Sequence, residues 1–126
     1  LPRHTMSFST TEERPWGSFE VLLDAPDCKV KRIVVKAGKR LSLQRHEKRS
    51  EVWTCVSGEG IVTKQPPHGA MENYGFAVGD VEKIPVNTIH RVEASPYQDL
   101  VFIEVQTGTY FGEDDIERFE DDYGRE

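Results

Sequence analysis

The segment Gly38-Lys39-Arg40-Leu41-Ser42-Leu43-Gln44-Arg45-His46-Glu47-Lys48-Arg49-Ser50-Glu51-Val52-Trp53-Thr54-Cys55-Val56-Ser57-Gly58 contains the spacing on which the fold assignment turns. Gln44 and His46 stand two apart in a strand-like run, so both side chains point to the same face. Glu51 follows at the start of the next apolar run, Val52 to Val56. Three side chains with lone pairs can therefore converge across a hairpin. A fourth, His90, opens a later strand signal just after the turn Pro85-Val86-Asn87. One carboxylate, one amide oxygen and two imidazoles suit a divalent ion such as zinc, manganese, iron, cobalt or nickel. Each of these residues on its own is equally at home on a solvated surface, and only their joint spacing raises the metal reading.

Outward from this segment, short β-branched runs recur at Phe19 to Leu23, Lys29 to Val35, Leu41 to Gln44, Gly60 to Lys64, Val81 to Ile84, His90 to Ala94 and Leu100 to Gln106. Turn residues separate them at Ala25-Pro26-Asp27, Ala37-Gly38, Ser57-Gly58-Glu59-Gly60, Val78-Gly79-Asp80 and Ser95-Pro96. Many short strands without intervening helices predict an all-β sandwich or barrel. Two further expectations concern the remainder. Gln65 to Phe76, with Pro66-Pro67, Gly69, Asn73 and Gly75, is expected to be one long loop at the rim of a barrel mouth. Glu113 to Asp122 is expected to form a short C-terminal helix, because Ile116 and Phe119 are three apart and acids crowd its start.

The 126 residues fit one domain, expected to span 6–126, with Leu1 to Thr5 ahead of Met6 resembling a tag remnant. A charged fraction of 30% beside 37% hydrophobic residues excludes low-complexity and collagen-like classes. Cys28 and Cys55 lack C-x-x-C spacing, which favours free thiols in a cytoplasmic protein, and no apolar run has the length of a membrane span. Net charge is −6, all of it attributable to the acidic segment from Glu113 to Glu126. By contrast, Lys29 to Arg49 sets nine bases against the single acid Glu47. That belt is either a solvated strand face or a site for a small anion such as a phosphate. The acidic tail disfavours nucleic acid as a partner.

The spacing Gly38-x5-Gln44-x-His46-x4-Glu51-x6-Gly58 resembles the first cupin motif, with Gln in place of its usual first His, and Gly79-x5-Pro85-x-Asn87-x2-His90 resembles the second, with Asn87 in place of Gly. The flanks Arg14-Pro15-Trp16-Gly17-Ser18-Phe19-Glu20-Val21, Lys29-Val30-Lys31-Arg32-Ile33 and Gly112-Glu113-Asp114-Asp115-Ile116-Glu117-Arg118-Phe119 are similar to the cupin domain of type II mannose-6-phosphate isomerases. This resemblance implies a jelly-roll double-stranded β-helix and a homodimer. It also implies one divalent metal on Gln44, His46, Glu51 and His90, and a metal-dependent aldose–ketose isomerisation of a sugar phosphate, mannose 6-phosphate to fructose 6-phosphate through an enediolate. Arg49 matches the arginine of the family's motif and is the candidate catalytic side chain. Lys31, Arg32 and Arg40 are the candidates for the phosphate; Lys31 and Arg32 are adjacent, so at most one of them faces a barrel lumen. Glu47, Lys48 and Val52 stand where the family commonly has further histidines. Two other functions stay open at this point: a non-catalytic sugar-binding cupin, and a non-haem iron oxygenase built on His46, Glu51 and His90 alone.

Overall fold

The structure is a computed structural model that describes residues 11–125; Leu1 to Thr5, with the expected tag remnant, lie outside the described residues. The chain forms strands β1 (Thr11–Arg14), β2 (Gly17–Asp24), β3 (Lys29–Val35), β4 (Leu43–His46), β5 (Arg49–Ser57), β6 (Glu59–Gln65), β7 (Glu72–Ala77), β8 (Val81–Ile84), β9 (Ile89–Ala94), β10 (Leu100–Gly108) and β11 (Ile116–Glu120). They make two antiparallel sheets, one in the order β1-β2-β3-β10-β5-β8 and the other β11-β4-β9-β6-β7. The fold is all-β, as the strand signals predict.

The sheets close because successive residues alternate inward and outward. On β5, Arg49, Glu51, Trp53 and Cys55 are buried while Ser50, Val52 and Thr54 between them are not. The registers align these inward positions in layers: Phe102 lies opposite Ile33 and Cys55, Glu104 opposite Lys31 and Trp53, and Gln106 opposite Glu51. One half of the interior is apolar, built from Val35, Cys55, Ala94, Leu100 and Phe102, with Trp53, Phe76 and Phe102 in mutual ring contact at 5.0–6.2 Å between centroids. Such an aromatic cluster contributes edge-to-face attraction as well as burial. Further along the same strands the interior turns polar, with Lys31, Gln44, His46, Arg49, Glu51, His90, Glu104 and Gln106 all buried. The fold thus plugs one end of the barrel and concentrates its chemistry at the other.

Two expectations are corrected. Glu113 to Asp122 is not a helix: a single 3₁₀ turn, Glu113–Asp115, leads into β11, which pairs with β4 through Ile116 opposite His46 and Arg118 opposite Gln44. The period that wins is two, because Ile116 and Arg118 point inward while Glu117 reaches across to Arg45 at 2.8 Å and covers the edge of β4. The acids crowding the start serve a different purpose from a helix dipole, since the Asp115 carboxylate accepts from the backbone N–H groups of Glu47 (3.2 Å) and Lys48 (2.9 Å). Gln65 to Phe76 is not one long loop either. β6 runs to Gln65, a turn closes with Gly69 N–H donating to the Pro66 carbonyl at 3.1 Å, and β7 returns along β6. Tyr74 and Phe76 supply its inward alternation, and Phe76 completes the aromatic plug.

The turns are set by backbone conformation at a few positions. Gly58 has φ +77°, and a Cβ there would collide with the Asp99 carbonyl. Asn87 also has a positive φ of 63°, which Asn tolerates better than most residues, and its N–H donates to the His46 carbonyl at 2.7 Å, tying the turn before β9 to the end of β4. Gly58→Ala combines left-handed strain with a backbone clash and is expected to destabilise the fold by about 2 kcal/mol or more, read as a lower midpoint in urea unfolding. An unchanged midpoint would contradict this account of the turn.

Candidate metal and anion site

The polar end of the barrel opens as a cavity whose walls include Lys31, Gln44, Arg49, Glu51, His90 and Glu104. Strand pairing places Gln44 directly opposite His90, and β5 brings Glu51 beside them. Ligand atoms of His46, Glu51 and His90, all buried, lie within 4.8 Å of one another. The sequence-predicted donors are therefore brought together in space.

The hydrogen bonds of His90 and Gln44 leave an acceptor free for a cation on each, whereas His46 and Glu51 already accept from the Arg49 guanidinium. The Nδ1 of His90 is 2.9 Å from the Thr88 carbonyl, which can only accept, so Nδ1 carries the proton and Nε2 keeps its lone pair. Gln44 donates from Nε2 to Ser42 Oγ at 3.0 Å, which leaves Oε1 as the acceptor. Glu51 accepts from Trp53 Nε1 on one oxygen and from Arg49 Nε on the other, each at 2.9 Å. His46 Nε2 is 2.9 Å from Arg49 Nη2, and a guanidinium only donates, so His46 and Glu51 already present acceptors to one common cation. Burial, with the Arg49 charge and then His90 adding to it, lowers the His46 pKa to about 2; burial likewise lowers His90 to about 4. Both imidazoles are neutral donors at neutral pH. A donor set of one carboxylate, one amide and two neutral imidazoles fits a divalent transition ion.

The charges around this set are balanced within the barrel. Burial opposes the Arg49 charge, but Glu51, Glu104 and Glu113 together hold its pKa above the ordinary value. Glu104 goes the other way: burial first, then the charge of Glu51, raises its carboxyl well above the usual range, and Gln106 Nε2 donates to it at 2.6 Å. Lys31 lies over the Phe19 ring at 4.1 Å and reaches the Glu113 carboxylate at 3.3 Å.

Of the phosphate candidates, only Lys31 faces the cavity. Arg32 is exposed on the opposite face of β3, and Arg40 forms a two-pronged pair with Asp122 at 2.8 and 2.9 Å outside the cavity wall. Sequence reasoning did not single out Glu104, Glu113 or Arg118, which also line the cavity. Glu104 sits in an apolar run, Leu100 to Gln106, and its inward parity was the one available signal. Arg118 could not be found, because its inward position depends on β11 being a strand.

The family model described as "Mannose-6-phosphate isomerase C-terminal" matches residues 2–121. The chain belongs to this family. Among curated relatives, the alginate biosynthesis protein AlgA of Pseudomonas aeruginosa is 43% identical over 112 residues, covering 89% of this chain and 22% of that protein. The xanthan biosynthesis protein XanB of Xanthomonas campestris is 43% identical, covering 89% of this chain and 23% of its own length. A mannose-1-phosphate guanylyltransferase of Salmonella muenchen is 39% identical, covering 85% and 22%. The chain thus spans about a fifth of the length of the relatives it matches. Among solved structures, the capsular polysaccharide assembling protein CapF of Staphylococcus aureus superposes with a TM-score of 0.82 at 24% identity, covering 95% of this chain and 35% of that one. Bacillus subtilis oxalate decarboxylase superposes with a TM-score of 0.80 at 18% identity, covering 90% and 31%. These likenesses establish the cupin fold. No helix among the described residues is long and apolar enough to cross a membrane.

The neutral histidines make stability depend on pH in a definite direction. An unfolded chain protonates His46 and His90 below about pH 6.5, whereas the folded chain resists to about 2 and 4, so acid favours unfolding. Metal-free protein is expected to lose stability as pH falls from 6.5 to 4, each histidine contributing up to about 1.4 kcal/mol per pH unit. His90→Gln should flatten that slope in urea titrations, and an equal slope in both proteins would contradict the assignment.

Proposed function

We propose that this chain is a metal-dependent aldose–ketose isomerase module that interconverts mannose 6-phosphate and fructose 6-phosphate. The observation that carries the reading is a buried donor cluster, His46, Glu51 and His90, of which Glu51 and His90 line one cavity with the cations Lys31 and Arg49. Family membership supports it from outside the site. A cytoplasmic location, suited to the free thiols of Cys28 and Cys55, and a homodimer belong to the same reading.

The reaction must open a sugar ring, remove a proton next to a carbonyl and return it to the neighbouring carbon, so negative charge builds on oxygen. A divalent ion held by Gln44, His46, Glu51 and His90 supplies Lewis-acid stabilisation of that charge when bound. The protein's own groups do the rest. Lys31 and Arg49 set a positive field on the cavity wall, which draws in an anionic substrate and holds its phosphate. Arg49 is held on the cavity wall by Glu51 and would offer a cation to a developing oxyanion, its bond to His46 giving way when that imidazole takes the ion. Glu104, whose carboxyl burial and then the charge of Glu51 push well up, adds less negative charge to the cavity than an ordinary carboxylate would. Burial of the donor cluster keeps bulk water from competing with these interactions.

NMR of metal-reconstituted protein with mannose 6-phosphate in deuterated water is the direct test. Fructose 6-phosphate carrying deuterium should appear, should stop on chelation, and should slow roughly 10²-fold or more in Arg49→Ala. Turnover that persists in chelator would sink the proposal.

A further inference from the structure

The mouth of the cavity holds an anion that belongs to the chain itself. Glu113 lies on the 3₁₀ turn ahead of β11, and its Oε2 reaches Lys31 Nζ at 3.3 Å and Arg49 Nη1 at 3.7 Å. The two cations are deeply buried, with side-chain exposures of 6% and 4%, whereas the Glu113 side chain is half exposed. The match is incomplete. Nη1 of Arg49 is buried without a hydrogen-bond partner, because 3.7 Å is too long for one. The turn itself is pinned by Asp115, which binds the backbone of Glu47 and Lys48, so the Glu113 side chain can leave without moving its backbone.

We propose that Glu113 is a displaceable internal counter-ion, which neutralises Lys31 and Arg49 until the phosphoryl group of a ligand takes its place. The inference rests on the sugar-phosphate reading and adds how that site selects its ligand. A phosphomonoester brings close to two negative charges and three acceptor oxygens, enough to satisfy both Lys31 Nζ and the orphaned Arg49 Nη1. A neutral sugar offers neither and leaves Glu113 in place. Glu113 is therefore a specificity-determining residue: it sets a threshold that only a strongly anionic ligand crosses.

The test is calorimetric titration of chelator-treated chain with inorganic phosphate. Glu113→Gln removes the competing charge with almost no change in shape and is expected to tighten phosphate binding roughly fivefold or more. Glu117→Gln makes the same change in net charge beside Arg45, outside the cavity, and should leave the affinity unaltered. Adding Lys31→Met to Glu113→Gln should abolish the gain. Thermal melts establish that each variant is folded, and Glu113→Ala provides a second removal of the charge. Unchanged or weaker phosphate binding in Glu113→Gln, a gain no larger than that of Glu117→Gln, or no binding to any variant would overturn the proposal. Absence of isomerase turnover together with a clear gain in phosphate affinity would reject the reaction but retain the counter-ion.

Discussion

A carboxylate with 2% exposure is tolerable only if its charge is met, and the polar half of this barrel is organised around meeting that of Glu51. Arg49 lies two residues before it on the same face of β5 and binds one oxygen, while Trp53, two residues after it, donates its indole N–H to the other. One strand thus supplies the acid, its counter-ion and its neutral donor by parity alone. Arg49, so fixed, reaches His46 on β4, and Trp53 stands edge-on to His90 at 5.7 Å. The second sheet is drawn to the first through the residues that would bind a metal.

This arrangement couples packing to chemistry. Trp53 belongs at once to the aromatic plug, through Phe76 and Phe102, and to the donor cluster, through Glu51. The rigid apolar half therefore sets the angle at which Glu51 enters the cavity. Charges are arranged in the same graded way: burial and the charge of Glu51 push the Glu104 carboxyl up, Lys31 and Arg49 hold the Glu113 carboxyl at the mouth below its ordinary value against the cost of its burial, and burial holds both histidines low. The ionisation states of the cavity follow from depth and neighbours.

Much of this was legible in the chain. The strands from Phe19 to Gln106 carry their period in β-branched residues, and the donors Gln44, His46, Glu51 and His90 stand at spacings that resemble the two cupin motifs. What escaped was decided by partners distant in sequence. Ile116 and Phe119 have a helical spacing, yet the open edge of β4 makes Ile116 to Glu120 a strand. Asn73 to Phe76 has the composition of a loop, yet β6 offers it an edge and the aromatic plug needs Phe76. Lys31 and Arg32 are indistinguishable by composition, and only the register against Glu104 turns Lys31 inward. Arg40 is drawn away by Asp122, from the acidic tail more than eighty residues later.

The central claim is that the buried donors at the polar end of the barrel constitute a metal centre. Crystals of zinc-reconstituted protein, measured on both sides of the zinc absorption edge, test it most directly. The account predicts one anomalous peak inside the cavity, about 2.0–2.2 Å from a nitrogen of His46, a nitrogen of His90 and a carboxylate oxygen of Glu51. Zinc bound elsewhere, with this cavity empty, would contradict it.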